Sequence, residues 1–147
     1  MERKLRSTPS FTYFDPVEAG FDSTSSRFSV RVPAGILTVE ELFGWYSKAV
    51  MFPEFFGWNW DAFLDCLRDL SWISQKEVQI VHEDVPLHRD EAERRIYLEI
   101  LQTALLDWSE KRDGPGADLP ADWLYIEHDL EVTFPVGSKV LIGSTIK

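Results

Sequence analysis

The chain has 147 residues, with 25 acidic against 15 basic and a formal net charge of −10. At 44 % hydrophobic and 14 % aromatic it has the make-up of one globular domain with a real core. The acidic balance argues against nucleic acid or an anionic membrane as direct ligands, since both need Lys and Arg in excess, and it favours a basic protein partner.

Residues 1–26 hold Pro9, Pro16, Gly20 and a Ser/Thr run at 23–26, and read as an N-terminal extension. Phe11, Tyr13 and Phe14 within it suggest a short packed strand. The N-terminus carries charge with no apolar segment behind it, so no secretory signal is expected. No apolar run approaches membrane-spanning length. A cytoplasmic location is the expectation.

Residues 27–32 alternate, with Phe28, Val30 and Val32 on one face, which predicts a strand ended by Pro33 and Gly35. Thr38 and Glu41 form a capping box. The helix that follows carries Val39, Leu42, Phe43, Tyr46, Ala49 and Val50 on one stripe, and Pro53 breaks it.

The next stretch, residues 52–70, organises the rest. It reads as a tight aromatic loop running into a helix. Asn59, the one asparagine in the chain, sits where an N-cap is needed. Gly57 is expected to supply unusual backbone angles and close approach. Trp60, Phe63, Leu67 and Leu70 make an apolar stripe, while Asp61, Asp65 and Asp69 recur every fourth residue on the opposite face. A bare acidic row is an ordinary solvated surface. Joined to a glycine, an asparagine cap and the aromatics Phe55, Phe56 and Trp58, it predicts a binding surface.

Residues 77–82 predict a second strand, parallel to the first across the two helices. Residues 90–93 cap a helix running to about Lys111, with Ile96 or Tyr97, Ile100, Leu101, Ala104, Leu105 and Trp108 inward. Residues 113–116 form a loop, and residues 123–126 predict the third core strand. Val132, Phe134, Val136 and then 140–142 suggest one or two further strands. The fold class is therefore α/β: a small sandwich of a short parallel sheet, about three core strands, packed by three or more helices, with additions at both ends.

The single cysteine, Cys66, rules out an internal disulfide and a CxxC zinc site, and its phase places it toward the core. His82, His88 and His128 have no metal-ligand spacing and are expected at edges or on the surface. No cofactor and no metal are expected. An enzyme using Asp61 and Asp65 to hold a hard cation is a weak reading, because no histidine, nucleophile or Gly-rich phosphate loop accompanies them.

The run Pro-Glu-Phe-Phe-Gly-Trp-Asn-Trp-Asp-Ala-Phe-Leu-Asp-Cys-Leu, beginning at Pro53, closely resembles the signature of the barstar family, intracellular inhibitors of secreted bacterial ribonucleases. The family pattern is Pro-Glu-Tyr-Tyr-Gly-x-Asn-x-Asp-Ala-Leu-Trp-Asp-Cys-Leu. The close likeness covers about fifteen residues within 52–70, and element order extends it to about residue 126, giving a domain over 27–147. The resemblance implies an α/β sandwich and an inhibitor or antitoxin that plugs a basic nuclease cleft, a carboxylate standing where substrate phosphate would lie. By position Asp65 corresponds to the family's central aspartate. Gly57, Asn59, Asp61 and Ala62 correspond to other interface positions, as do Phe55 and Leu64 with changed side chains. Phenylalanine at 55 keeps an aromatic face without the hydroxyl, and leucine at 64 removes a large contact. Arg68 replaces a small polar residue and adds positive charge at the rim. These changes imply a different basic ribonuclease as partner, of extracellular or toxin type, and a monomer when free. The alternative is an adaptor domain with a non-nuclease partner, presenting Trp58.

Overall fold

The computed structural model describes residues 10–15, 23–113 and 127–146, without the side chains of 111–113. Four strands, β1 (Thr12–Phe14), β2 (Arg27–Val32), β3 (Glu77–His82) and β4 (Asp129–Pro135), form one sheet in the order β1-β4-β3-β2. All three pairings are parallel, with Arg27 opposite Glu77, Glu77 opposite Asp129, and Thr12 opposite Thr133. Helices α1 (Val39–Ala49) and α2 (Trp60–Asp69) lie between β2 and β3 in the chain, α3 (Glu91–Asp113) between β3 and β4, and α4 (Lys139–Thr145) at the end. A parallel sheet needs such crossovers. Both strands of the predicted pair, 27–32 and 77–82, form with those bounds and that direction.

Two expectations change, and a third, the core strand at 123–126, lies outside the described residues. The further strand expected at Val132 and Phe134 forms as β4 and takes a central place in the sheet. The sheet has four strands rather than about three, because the aromatic piece of the extension adds β1 to the edge of β4. Residues 140–142 are helical, not extended. Val140 is 83 % exposed while Ile142 and Thr145 are buried, a 3.6-residue pattern that a three-residue apolar run cannot reveal.

The edge strand is held by Phe11, which is buried with its ring edge-on to Phe134 at 5.1 Å. Phe11→Ala is expected to cost about 2 kcal/mol, the worth of one buried aromatic side chain. Urea denaturation measures it, and loss of β1 would leave the edge of β4 open to other chains.

The core is aromatic and draws on all three long helices. Phe43 and Tyr46 come from α1, Phe63 from α2, and Tyr97, Leu101 and Trp108 from α3, against Val78, Ile80, Val132 and Phe134 of the sheet. Hydrogen bonds from indole N–H groups tie the layers. Trp108 donates to the Leu67 carbonyl at 2.8 Å, Trp72 to that of Val50 at 2.8 Å, and Trp60 to Glu93 at 3.1 Å.

Two of the three histidines expected at the surface are buried; only His88 is exposed. His82 Nδ1–H donates to the Thr133 carbonyl at 3.0 Å. That fixes Nε2 as the acceptor, so Tyr97 O–H donates to it at 2.7 Å and Tyr46 O–H donates to Tyr97 at 2.7 Å. His128 Nε2–H donates to the Leu70 carbonyl at 2.8 Å, with Nδ1 3.2 Å from the Lys76 carbonyl. Burial holds the His82 imidazole neutral down to about 3, the bond to Thr133 offsetting this only in part. An unfolded histidine titrates near 6.5, so below that pH the unfolded chain takes a proton that the folded one refuses. Stability is therefore full above about pH 6.5 and falls as pH drops, by up to about 1.4 kcal/mol per unit. Urea midpoints at pH 7 and pH 5 measure this, and His82→Gln is expected to flatten the difference.

Candidate functional site

Local chemistry sets α1 and then hands the chain to the site. Thr38 accepts from the Glu41 amide at 3.1 Å and the Glu41 carboxylate accepts from the amides of Thr38 and Leu37, the predicted capping box. Those amides hold the Glu41 carboxyl below its ordinary range. The helix closes at Val50, and Met51, at φ 61°, turns the chain before Pro53 is reached.

The loop from Phe52 to Asn59 is anchored from beneath. Phe52 and Phe56 are buried, meet edge-on at 5.1 Å, and pack on Phe63 and Phe43 respectively. Phe56, expected among the contact residues, is therefore a support. At 5 % exposure its ring packs on Phe43 of α1 at 5.2 Å and leaves only a small part of its surface to the outside. Phe55 beside it is 84 % exposed and Trp58 is 50 % exposed. Trp58 stacks on Phe56 at 6.1 Å, and its ring would lie 3.7 Å from a Cβ on Gly44 of α1.

The left-handed residue of the loop is Trp58 (φ 54°), not Gly57. What Gly57 supplies is room. A Cβ there would stand 3.1 Å from Asn59 Nδ2, the atom that donates to the Gly57 carbonyl at 3.3 Å. A left-handed conformation at a tryptophan stores about 1 kcal/mol, and such strain gathers at binding loops.

Asn59 caps α2 as expected, its Oδ1 accepting from the Ala62 amide at 2.8 Å. The apolar stripe then locks the helix's phase. Phe63, Leu67 and Leu70 are fully buried and Trp60 is half-buried, so Asp61, Asp65 and Asp69 must face solvent, and all three are exposed. At 1.5 Å per residue, successive carboxylates stand about 6 Å apart along the axis. Ala62 and Leu64 are half-buried flanks. Arg68 is exposed, but its Nε lies 3.4 Å from the carboxylate of Asp107 on α3. Its positive charge is thus partly offset rather than set against a basic partner.

A hollow of about 240 Å³ lies between loop and helix, lined by Pro53, Phe55, Phe56, Ala62, Asp65, Cys66 and Asp69. Burial pushes the Cys66 thiol up to about 11, with the charges of Asp69 and Asp65 adding to the effect, so the thiol is a core group rather than a nucleophile. Sequence reasoning included Asp69 in the acidic row but not in the site. The hollow exists only because the loop folds back over the helix, and spacing carries no trace of that.

Among the described residues no group of three His, Cys, Asp or Glu is placed to hold a metal ion, and no helix is long and apolar enough to cross a membrane. What stands at this surface is charge and aromatic area on a fixed frame. The model of the family described as Barstar (barnase inhibitor) matches residues 30–119, more than half of the chain, and the chain belongs to that family. Neither the curated proteins nor the solved structures return a significant match.

Proposed function

We propose that this protein inhibits a basic ribonuclease by laying the acidic face of α2, with the loop before it, across the enzyme's phosphate-binding cleft. The observation that carries the reading is the exposed row Asp61 and Asp65 beside the outward rings of Phe55 and Trp58, on a helix whose other face is fixed in the core. A carboxylate held there takes the place of a substrate phosphate against Arg and Lys, and charge-assisted hydrogen bonds of that kind are the strong ones. The net charge of −10 speeds encounter with a cationic enzyme and keeps nucleic acid away. The protein needs no cofactor for this, performs no chemistry, and acts as a monomer in the cytoplasm, where an enzyme meant for export threatens the cell's own RNA.

Phe55 and Leu64 differ from the family pattern at contact positions, and such differences select among partners. The nuclease is therefore one of altered rim. A panel of basic bacterial ribonucleases, assayed with and without the protein, tests the proposal: one at least should be stoichiometrically inhibited, and uniform activity across the panel counts against it. A gene for a basic nuclease beside this one would point to the partner.

A second reading is favoured by the half-exposed Trp58 and the exposed Phe55, apolar surface that also suits a partner other than a nuclease. Recovery of a non-nuclease protein from lysate by the wild type but not by Trp58→Ala would support it.

A further inference from the structure

We infer that the hollow between residues 53–56 and α2 seats an arginine side chain of the bound protein, with Asp69 as the second carboxylate of that seat. The inhibitor reading enters only through the identity of the protein that brings the arginine. Asp69 lies beyond the fifteen-residue run that carries the family likeness. Its place in the seat comes from the geometry of the hollow.

The lining has two characters. Pro53, Phe56, Ala62 and Cys66 are apolar or nearly so, and Phe55 stands as a wall with 84 % of its surface exposed. Asp65 and Asp69, one helical turn apart, form the other side. A neutral apolar side chain placed there would strip water from two carboxylates and give nothing back. An ammonium is compact and strongly hydrated, and would surrender that hydration to an apolar lining. A guanidinium meets both demands. It is flat, weakly hydrated, stacks on an aromatic face, and carries donors enough for two carboxylates at once.

The protein's own cation adjacent in sequence to Asp69 does not take the place. Arg68 pairs with Asp107 on α3 and is not among the lining residues. Both carboxylates also bear on the bottom of the hollow, where Asp69 and Asp65 each disfavour the Cys66 thiolate.

The test uses the full-length, ¹⁵N-labelled protein titrated at constant ionic strength with ethylguanidinium chloride and, separately, propylammonium chloride. The amides of Ala62, Cys66 and Asp69 report on the hollow, and those of the exposed acidic pair Glu83 and Asp84, which do not line it, serve as the reference for plain screening. Ethylguanidinium is expected to saturate the first set at clearly lower concentration than propylammonium and to leave the reference set unmoved. Asp69→Asn should raise the ethylguanidinium concentration required by about tenfold, the scale of one charge-assisted hydrogen bond. Phe55→Ala should erase the preference between the two cations. Both positions are exposed, and the wild-type comparison decides by itself if either variant folds poorly. Equal response to the two cations, or wild-type affinity in Asp69→Asn, overturns the inference. The two failures are separable. Ethylguanidinium binding with no inhibition across the ribonuclease panel sinks only the inhibitor reading. Inhibition unaffected by Asp69→Asn, with no cation preference, sinks only the arginine seat.

Discussion

Asp65→Ala is expected to weaken inhibition of the partner ribonuclease by about 2 kcal/mol or more, roughly 30-fold in Kd, while leaving the protein at least as stable as before. The two halves of this result have separate causes. Asp65 is exposed and flanked four residues on either side by Asp61 and Asp69. Removing it relieves two like-charge repulsions of a few tenths of a kcal/mol each, roughly, and alanine is the better helix former. Stability should therefore hold or rise slightly. Affinity falls because a carboxylate at the centre of the surface is lost and the partner's cations are left facing an apolar methyl group. A residue kept at a cost to its own fold and needed by the complex is the mark of a binding site rather than of a solubilising face. Inhibition titrations and thermal melts on the same preparation measure both halves. Unchanged affinity in a folded variant would remove α2 from the interface.

Salt separates two further contributions at the same surface. The exposed row as a whole acts at a distance, so raising ionic strength should slow association. Contacts closed off within the complex are screened less and show in the dissociation rate. Asp61→Asn is expected to act mainly on the first and Asp65→Ala on both.

The local rules carried most of the fold. The sequence of 27–32 alternates and 77–82 is a short apolar run of strand length, and the caps at Thr38 and Asn59 are made by side chains three residues from the amides they satisfy, so a short window of sequence contains each whole signal. The buried histidines show where that window ends. His82 finds its partners in Tyr97 and in the carbonyl of Thr133, 15 and 51 residues away, and nothing near position 82 announces them. The helical end of the chain was hidden for another reason: three apolar residues fit either period, and only packing of Ile142 and Thr145 chooses. At the site the acidic phase of α2 was legible, because a helix buried on one face must expose the other. The division of labour between Phe55 and Phe56 was not, since two adjacent phenylalanines in a loop differ only in which one α1 receives. Asp69 and the hollow belong to the same group, as products of a loop folding over a helix.

Phe63→Ala is expected to be the most damaging single change to the fold, at about 3–5 kcal/mol, the range for emptying a buried aromatic site. Phe63 is fully buried where three segments meet. Its ring lies 5.5 Å from Phe43, 4.8 Å from Tyr46, 5.8 Å from Phe52, 5.7 Å from Trp60 and 5.9 Å from Tyr97. These five neighbours are rigid rings, so the space left behind cannot close easily, and the cost should fall toward the upper end. Such a loss is a large share of the roughly 5–15 kcal/mol that holds a domain together, and lowers the melting temperature by about 10 °C or more. Phe63 also fixes the phase of α2, with Asp61 and Asp65 close by on the opposite face. In Phe63→Ala, inhibition should therefore weaken at temperatures where the protein is still folded, although no group that meets the partner has been touched. Asp65→Ala weakens binding with the frame intact, whereas Phe63→Ala weakens it by loosening the frame. Urea denaturation and inhibition measured side by side on the two variants distinguish these routes. Full inhibition by a destabilised Phe63→Ala would mean that the acidic face keeps its bearing without the aromatic cluster beneath it.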